Sequence, residues 1–198
     1  MAAVGGRLTT ACRDTRWKGY LPGPACPKRW ACSANTASSP GAGCATSASP
    51  GRARRWCVSA AGGAISMIVG QLAKADGARV IGIASGDKVV YVIDELGFDA
   101  CIDRTAEAVG EALDRLCPQG IDIYFDNVGG EVMLAAHDRM ADFGRVVICG
   151  MASEYNAREE PFGASLRPVL RKRLRIEGFV VYDHYDDQFD AFRPRCAR

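Results

Sequence analysis

A glycine pair, Gly62-Gly63, stands between an apolar strand end at Val58 and a run of apolar residues at helical spacing. The helix would begin near Ala64 and Ile65, and its first backbone N–H groups would have no partner within the helix. These groups and the positive end of the helix dipole suit a pyrophosphate above the strand. Glycine pairs in this position also arise for packing alone, so the motif indicates a nucleotide site only together with other residues.

Two further polar stretches follow predicted strands and are therefore expected at the same edge of a sheet. The first is Asp126-Asn-Val-Gly-Gly130, in which Asn127 is the candidate side chain. The second follows the next strand and contains the candidates Cys149, Gly150, Ser153 and Tyr155. Both loops are expected to converge on the crevice above Gly63. The alternatives are that Asn127 is a turn residue and that Tyr155 is a surface aromatic.

The strand after the glycine turn ends in Ala84-Ser85-Gly86, without an acid at its tip. In NAD-specific sites an acid at this position usually binds the ribose hydroxyls of the adenosine. Lys88 and Arg104 lie just past the ends of the second and third predicted strands, where a 2'-phosphate would project. These residues together predict NADP rather than NAD as the cofactor. Asp87 argues against that preference, and the alternative for Lys88 is a solvated residue in a first helical turn.

From Cys57 onward, predicted strands alternate with predicted helices, which indicates an α/β fold with a doubly wound, mostly parallel sheet of the Rossmann type. After the first strand end at 56–58, the predicted strands are 79–84, 100–102, 121–125, 145–149 and 175–182. After the glycine turn and its helix, the predicted helices are 87–96, 105–117, 131–140 and 166–174. Thr105 is the predicted cap of the helix that it begins.

The first part of the chain is a different kind of sequence. Residues 1–57 hold nine Lys or Arg, one acid, five of the nine cysteines and no Ile or Phe. Residues 1–56 are therefore expected to be irregular and unable to bury a core. Three origins fit them: a basic arm that contacts nucleic acid, an organelle transit peptide, or out-of-frame translation of GC-rich DNA. The abrupt change near residue 57 favours the last, and the similar composition of 193–198 leaves 57–192 as the predicted domain.

Composition also argues against several classes of function. The chain has no C-x-x-C pair and only two histidines, so no metal site is predicted and the cysteines are expected to be free thiols. No apolar run approaches the roughly 18 residues of a membrane span, and the N-terminus lacks the apolar core of a signal peptide. We therefore expect a cytoplasmic protein that binds neither membranes nor nucleic acid.

Several stretches of the chain resemble a known family. They are Val58-Ser-Ala-Ala-Gly-Gly-Ala-Ile65, Gly70-Gln-Leu-Ala-Lys74, Glu95-Leu-Gly-Phe-Asp99, Asp122-Ile-Tyr-Phe-Asp-Asn-Val-Gly-Gly130, Val147-Ile-Cys-Gly150, Tyr155-Asn156 and Arg171-Lys-Arg-Leu-Arg175. These stretches are similar to the zinc-free enone reductases of the medium-chain dehydrogenase/reductase superfamily. That branch includes prostaglandin reductases, plant alkenal double-bond reductases and bacterial curcumin-reductase-type enzymes. The resemblance covers 57–192, and Asp-Asn-Val-Gly-Gly with the later Tyr-Asn is specific to this branch.

The resemblance implies that Lys88 holds the 2'-phosphate of NADP, that Asn127 and Cys149 line the cofactor crevice, and that Tyr155 lies near the nicotinamide. Ser66 stands where the family has a glycine, and its side chain is expected to crowd the approach to the pyrophosphate. Arg104 stands where the family has a tyrosine and is expected to supply a charge pair instead. The family also has a β-rich catalytic domain before the nucleotide domain and a C-terminal segment that returns to it, so this chain is expected to be incomplete.

These observations predict an NADP-dependent oxidoreductase that transfers hydride to the C=C bond of an α,β-unsaturated ketone or aldehyde. Tyr155 is the predicted catalytic residue, which polarises or protonates the oxygen side of the substrate. The alternative is a truncated, inactive nucleotide-binding fragment. A short-chain dehydrogenase is disfavoured because no tyrosine has a lysine four residues later. The resemblance implies a homodimer, and we expect this chain to self-associate through Phe179, Val181 and Tyr182.

Overall fold

The structure, a computed structural model, describes residues 54–157 and 165–180. Its strands are β1 (Arg55–Val58), β2 (Arg79–Ala84), β3 (Ala100–Asp103), β4 (Ile121–Asp126), β5 (Met140–Ile148) and β6 (Arg175–Gly178). Its helices are α1 (Ala64–Ala75), α2 (Lys88–Asp94), α3 (Val109–Leu116), α4 (Gly130–His137) and α5 (Arg167–Lys172). Most of the predicted irregular segment and the whole tail at 193–198 lie outside the described residues.

The strands form one parallel sheet in the order β3-β2-β1-β4-β5-β6. The sheet confirms the predicted doubly wound α/β fold. Strand order reverses between β1 and β4, where Cys57 pairs with Ile81 on one side and with Tyr124 on the other. In such sheets ligands bind beyond the carboxyl ends of the strands at the point of reversal. The fold therefore places the ends of β1 and β4 at the candidate site.

Strand β1 is buried on both faces, and its side chains alternate between two apolar clusters. Trp56 and Val58 pack in a cluster with Leu72 of α1 and Val92 of α2. Cys57 packs in the other cluster, which contains residues of α3 and α4. The helices therefore cover both faces of the sheet and hold the strand ends in fixed positions.

An ion pair fixes the start of β1. Arg55 is only 8% exposed, and its Nη2 and Nε lie 2.6 and 2.9 Å from the carboxylate oxygens of Asp122 in β4. Its backbone N–H donates to the same carboxylate at 2.8 Å. The hydrogen bond and charge of Asp122 raise the pKa of Arg55 despite its burial. Strand β1 therefore begins at Arg55, ahead of the predicted boundary at residue 57.

Two predicted starts are wrong by four or five residues. Thr105 does not cap a helix, because its backbone N–H and hydroxyl both donate to Asp103 Oδ1, at 2.9 and 2.6 Å, in the turn after β3. Helix α3 begins later, at Val109, without a side-chain cap. Strand β5 begins at Met140 rather than at residue 145 and passes through Phe143 at a φ of 60°. An irregular register between β4 and β5 accommodates this conformation.

The predicted self-association surface is also changed. Phe179 is 8% exposed and belongs to the apolar cluster around Trp56 and Leu72, so it is not available for contact with another copy. Val181 and Tyr182 lie outside the described residues. Strand β6 lies at an edge of the described sheet, where it pairs with β5. Self-association through that edge stays a prediction.

Candidate functional site

The turn between β1 and α1 leaves the start of the helix open. Ala60 has a φ of 47°, and the Gly63 N–H donates to the Ala60 carbonyl at 2.7 Å, which closes the turn. Gly63 is the N-cap of α1, and the described residues supply neither a side-chain cap nor an acid in the first helical turn. The first amides of α1, around the exposed Ala64, are therefore placed to receive an anion from outside the chain.

Lys88 begins α2, and its aliphatic stem lies against the glycine turn. A Cβ added to Gly62 would lie 3.1 Å from Lys88 Cδ and 3.2 Å from its Cβ. Arg104 follows the neighbouring strand β3, and its backbone N–H donates to Ala84 of β2 at 3.1 Å. Both side chains are exposed. The two cations thus follow the ends of adjacent strands, β2 and β3, and a phosphate site between them stays a prediction.

Sequence reasoning missed the role of Asp103, which directly precedes Arg104 at the end of β3. Its Oδ1 accepts hydrogen bonds from the backbone N–H of Gly86 at 3.3 Å and from both donors of Thr105. The hydroxyl and amide of Thr105 lower the pKa of Asp103, so the carboxylate is charged at neutral pH. Asp103 therefore joins the turns after β2 and β3, and the spacing Asp-x-Thr is its signal in the sequence.

On the other side of the crevice, Asp126 organises the end of β4. The carboxylate is fully buried and accepts hydrogen bonds on Oδ1 from the hydroxyls of Ser59 and Tyr124, at 2.8 and 2.9 Å. It also accepts the N–H groups of Val128 and Gly129, at 3.0 and 3.1 Å. Burial, with the nearby carboxylate, raises the pKa of Tyr124 well above its ordinary value. This network fixes the turn that contains Asn127.

Ser66 does not take the position predicted for it. Its side chain is 1% exposed, and its hydroxyl donates to the Ser59 carbonyl at 2.7 Å. The Ser66 hydroxyl oxygen also accepts a hydrogen bond from Asn127 Nδ2 at 2.8 Å. The expectation that this hydroxymethyl group crowds the pyrophosphate path is therefore wrong, because the group is buried in the turn between β1, α1 and β4.

The loop after β5 is attached to the turn after β4. The N–H of Ala152 donates to Asn127 O at 3.1 Å, and Ser153 donates twice to Val128 O, from its N–H at 2.9 Å and from its hydroxyl at 2.6 Å. Glu154 Oε1 accepts the N–H of Gly130 at 3.2 Å. Ser153 thus acts here as a link between loops, and Glu154, which sequence reasoning did not single out, closes the start of α4.

Tyr155 and Cys149 lie in the same region in different environments. Tyr155 is 71% exposed, and its hydroxyl accepts the Met151 N–H at 3.1 Å. A Cβ added to Gly150 would lie 3.2 Å from this hydroxyl and 3.5 Å from Asn127 Oδ1. Burial, followed by the nearby Asp126 carboxylate, raises the pKa of the Cys149 thiol to about 11. Cys149 is therefore a protonated thiol at neutral pH and a poor nucleophile.

The structure thus brings the predicted residues together in two groups on either side of the sheet reversal. One group follows β1, β2 and β3 and contains Gly62, Gly63, Ala64, Ile65, Lys88 and Arg104. The other follows β4 and β5 and contains Asn127, Cys149, Gly150, Ser153 and Tyr155. Ser66 lies beneath both groups and joins them through Asn127. An extended ligand with an anionic centre fits such a divided site.

No candidate metal site or membrane span lies in the described part of the chain. Within 54–157 and 165–180, no group of three or more His, Cys, Asp or Glu side chains is arranged to hold a metal ion. No helix in these ranges combines the length and apolar character that a membrane span requires. The predictions of a metal-free site and of a cytoplasmic location stay predictions.

Comparison with known proteins adds the family. Residues 64–197 match the family described as zinc-binding dehydrogenase. The chain belongs to that family. The sequence is 39% identical over 147 residues to the NADPH-dependent curcumin reductase of Escherichia coli K12, a match that covers 71% of this chain and 43% of the relative. It is 45% identical over 128 residues to prostaglandin reductase 1 of Bos taurus, covering 63% of this chain and 39% of the relative.

A solved structure agrees with this family placement. The crystal structure of CurA from Vibrio vulnificus in complex with NADPH aligns with a TM-score of 0.68 and 38% identity, covering 74% of this chain and 45% of CurA. Together with the curcumin and prostaglandin reductases, CurA confirms the predicted resemblance to the enone reductase branch. The chain spans less than half the length of these relatives.

Proposed function

We propose that this chain is the NADP-binding part of an oxidoreductase that reduces the C=C bond of α,β-unsaturated ketones or aldehydes with NADPH. The observation that carries the proposal is the open first turn of α1 beside two exposed cations, Lys88 and Arg104, at adjacent strand ends. Relatives named as an NADPH-dependent curcumin reductase and as CurA in complex with NADPH support the cofactor and the reaction class.

The residues present fit a dinucleotide. The first amides of α1, from Gly63 to Ile65, are suited to a pyrophosphate because no described side chain caps them. The stem of Lys88 crosses Gly62 next to this turn, and a lysine ammonium binds a phosphate as a point charge. Arg104 lies beside the same strand ends and adds a second charge for a 2'-phosphate. The nicotinamide end is assigned to the second group, around Asn127.

When bound, NADPH supplies the hydride, and the protein supplies orientation and charge stabilisation. Tyr155 is the proposed catalytic residue. Its hydroxyl oxygen accepts the Met151 N–H, so its own proton is directed away from that amide and toward other acceptors. A carbonyl oxygen that gains negative charge as hydride arrives at the β-carbon is such an acceptor. The high pKa that burial gives to Cys149 keeps its thiol from attacking an electrophilic substrate.

The proposal is tested by cofactor binding before any measurement of turnover. The unmodified chain should bind NADPH more tightly than NADH in a fluorescence titration. Lys88→Ala should weaken the binding of NADPH by about 1 to 3 kcal/mol, the range of charge-assisted hydrogen bonds. The binding of NADH should change little. Lys172→Ala removes the same charge from α5 and serves as the control. Equal affinity of the unmodified chain for both cofactors would contradict the role of Lys88 and Arg104.

Turnover is a separate question because the chain spans less than half the length of its relatives. The alternative function, nucleotide binding without catalysis, predicts a normal NADPH titration and no NADPH oxidation when an enone is added. Loss of absorbance at the NADPH band with an alkenal, abolished in Tyr155→Phe, would favour the reductase. A homodimer and an enone or alkenal substrate are parts of the same proposal.

A further inference from the structure

Ser66 is a buried polar residue to which the proposed function gives no role. It lies in the first turn of α1 on the face toward the sheet, and only 1% of its surface is exposed. Its hydroxyl joins three elements, since it donates to the carbonyl of Ser59 after β1 and accepts Nδ2 of Asn127 after β4. Ser59 in turn accepts the backbone N–H of Asn127 on its own hydroxyl at 2.8 Å. Asn127 is thus held at both its backbone and its side chain.

The arrangement determines which end of the Asn127 amide faces outward. A hydroxyl has one proton, and the Ser59 carbonyl can only accept, so the Ser66 proton is used on that carbonyl. Ser66 therefore offers Asn127 only lone pairs, and Asn127 must present its NH2 group to it. The carbonyl oxygen, Oδ1, is then turned to the other side. It lies 3.5 Å from the point above Gly150 where a Cβ would stand, and Tyr155 Oη lies 3.2 Å from the same point.

We propose that Ser66 is a positioning residue that orients the Asn127 amide so that Oδ1 accepts a hydrogen bond from a neutral donor on the nicotinamide nucleoside of the cofactor. The donor is an N–H of the carboxamide or an O–H of the adjoining ribose. This inference rests on the proposed function, because it assigns a residue to the binding of the same cofactor. Without the hydroxyl, the amide loses the partner that distinguishes its two ends, and its NH2 group is left buried without that acceptor.

The test is a titration of three ligands against the unmodified chain and Ser66→Ala. NADP⁺ carries the whole cofactor, 2'-phospho-ADP lacks both the nicotinamide and its ribose, and the nicotinic acid analogue of NADP⁺ has a carboxylate in place of the carboxamide. Ser66→Ala should bind NADP⁺ about 3- to 10-fold more weakly, as expected for the loss of one neutral hydrogen bond, and its affinity for 2'-phospho-ADP should be unchanged. Equal weakening of both ligands would place the effect at the pyrophosphate and overturn the inference.

The nicotinic acid analogue identifies the donor. If the carboxamide N–H is the donor, the unmodified chain prefers NADP⁺ to the analogue and Ser66→Ala loses that preference. If a ribose hydroxyl is the donor, Ser66→Ala binds NADP⁺ and the nicotinic acid analogue more weakly by the same factor. Both results support the positioning role. Ser165→Ala removes a serine hydroxyl at the start of α5, remote from this turn, and should change none of the affinities.

A double-mutant cycle separates positioning from a general structural role. Asn127→Ala should weaken the binding of NADP⁺. Adding Ser66→Ala to this variant should weaken the binding no further, because Ser66 acts through Asn127. Additive losses would overturn the proposal. If Ser66→Ala does not fold, the unmodified chain still decides, because the Asn127 NH2 protons should exchange slowly with solvent in NMR spectra before and after NADP⁺ binds. Fast exchange in the free chain would contradict the hydrogen bond to Ser66.

The outcomes also separate this inference from the proposed function. If the unmodified chain binds neither NADP⁺ nor 2'-phospho-ADP, the proposed function fails and the inference fails with it. If the unmodified chain binds NADP⁺ and Ser66→Ala binds it with the same affinity, only the inference fails.

Discussion

Two of the described helices, α1 and α4, begin directly after a glycine, yet only α1 has a start to which the described chain supplies no anion. Helix α1 follows Gly63 and has neither a side-chain cap nor an acid in its first turn. Helix α4 follows Gly129, carries Glu131 in its first turn, and its Gly130 N–H donates to the Glu154 carboxylate. The chain thus supplies its own anion to α4. A glycine pair before a helix marks a place where an anion can bind, and the loop that faces the pair decides whether that anion is external.

The glycines themselves serve different purposes in the two turns. Gly129 and Gly130 have φ values of 72° and 56°, which side chains rarely adopt, and a Cβ on either would lie 2.8 Å from an oxygen of the facing loop. Gly63 has a φ of −88°, and a Cβ there would lie 3.0 Å from the Ala60 carbonyl oxygen and 3.9 Å from the Ala60 Cβ, both within its own turn. The α4 glycines therefore let the chain close on itself, whereas the α1 turn stays open above the helix start.

The largest expected effect concerns how closely α1 approaches Phe98, which lies between α2 and β3. A Cβ on Gly70 would lie 1.8 Å from Cζ of Phe98, so Gly70→Ala should destabilise the fold by about 3 kcal/mol in urea unfolding. Gly110→Ala in α3 is the matched control, because its Cβ would meet only the flexible end of Arg139. That control should be neutral or stabilising by up to about 1 kcal/mol from helix propensity. Equal losses in both variants would contradict the role of close packing in placing α1.

An anion supplied by the chain itself at the start of α1 tests directly whether this helix receives the anion of the ligand. Ala64 is exposed at the first position of α1, so Ala64→Asp should place a carboxylate where the pyrophosphate is proposed to bind. NADPH affinity should fall by about 2 kcal/mol, while the helix dipole stabilises the new charge by about 0.3 to 1 kcal/mol. Ala64→Asn has nearly the same shape without the charge and should keep most of the affinity. Undiminished binding by Ala64→Asp would show that α1 does not receive the anion.

The difference between α1 and α4 shows which features of the fold can be predicted from the sequence and which cannot. Apolar runs and turn residues were enough to predict the doubly wound sheet, and the predicted limits of β2 agree with Arg79–Ala84. They could not show that Glu154 reaches Gly130, because that contact joins loops that are separated in sequence and depends on how β4 and β5 pair. The start of β5 was missed because the polar sequence around Asp142 resembles a turn, although the strand passes through it.

Ser66 shows the same limit at the level of one side chain. A serine in place of a glycine was interpreted by its size alone, which predicts crowding at the glycine turn. Its effect depends instead on the direction of its hydroxyl, which is set by the Ser59 carbonyl and by Asn127. Residue type and spacing could identify Asn127, Gly63 and Lys88 as candidates, but hydrogen-bond direction requires the folded chain.

The far end of α4 provides a prediction about pH. His137, the last residue of α4, is 3% exposed, and neither ring nitrogen has a hydrogen-bond partner within the described part of the chain. Burial lowers the pKa of His137 below its ordinary value of 6.5, although the Asp126 and Asp138 carboxylates oppose this shift. The unfolded chain therefore binds a proton that the folded chain resists, so stability should fall as pH drops below 6.5.

The pH effect is limited to one proton, or about 1.4 kcal/mol per pH unit at most. Urea unfolding from about pH 8 to about pH 5 should show the fall in the unmodified chain and a shallower one in His137→Gln. The other histidine of the chain, at residue 184, gives the control His184→Gln. An unchanged slope in His137→Gln would assign the pH dependence to other groups.

The smallest expected effect comes from opening α4. Glu154→Gln keeps the shape of the side chain and an oxygen that can accept the Gly130 N–H, so only the charge at the helix start is lost. Stability should fall by about 0.3 to 1 kcal/mol, the usual size of a helix-end charge effect, and NADPH affinity should stay within about twofold because the cofactor uses α1. Glu131→Gln, in the first turn of the same helix, controls for charge without that contact. A strong gain of phosphate or NADPH binding in Glu154→Gln, compared with Glu131→Gln, would show that α4 competes for the anion. The assignment of the pyrophosphate to α1 alone would then be wrong.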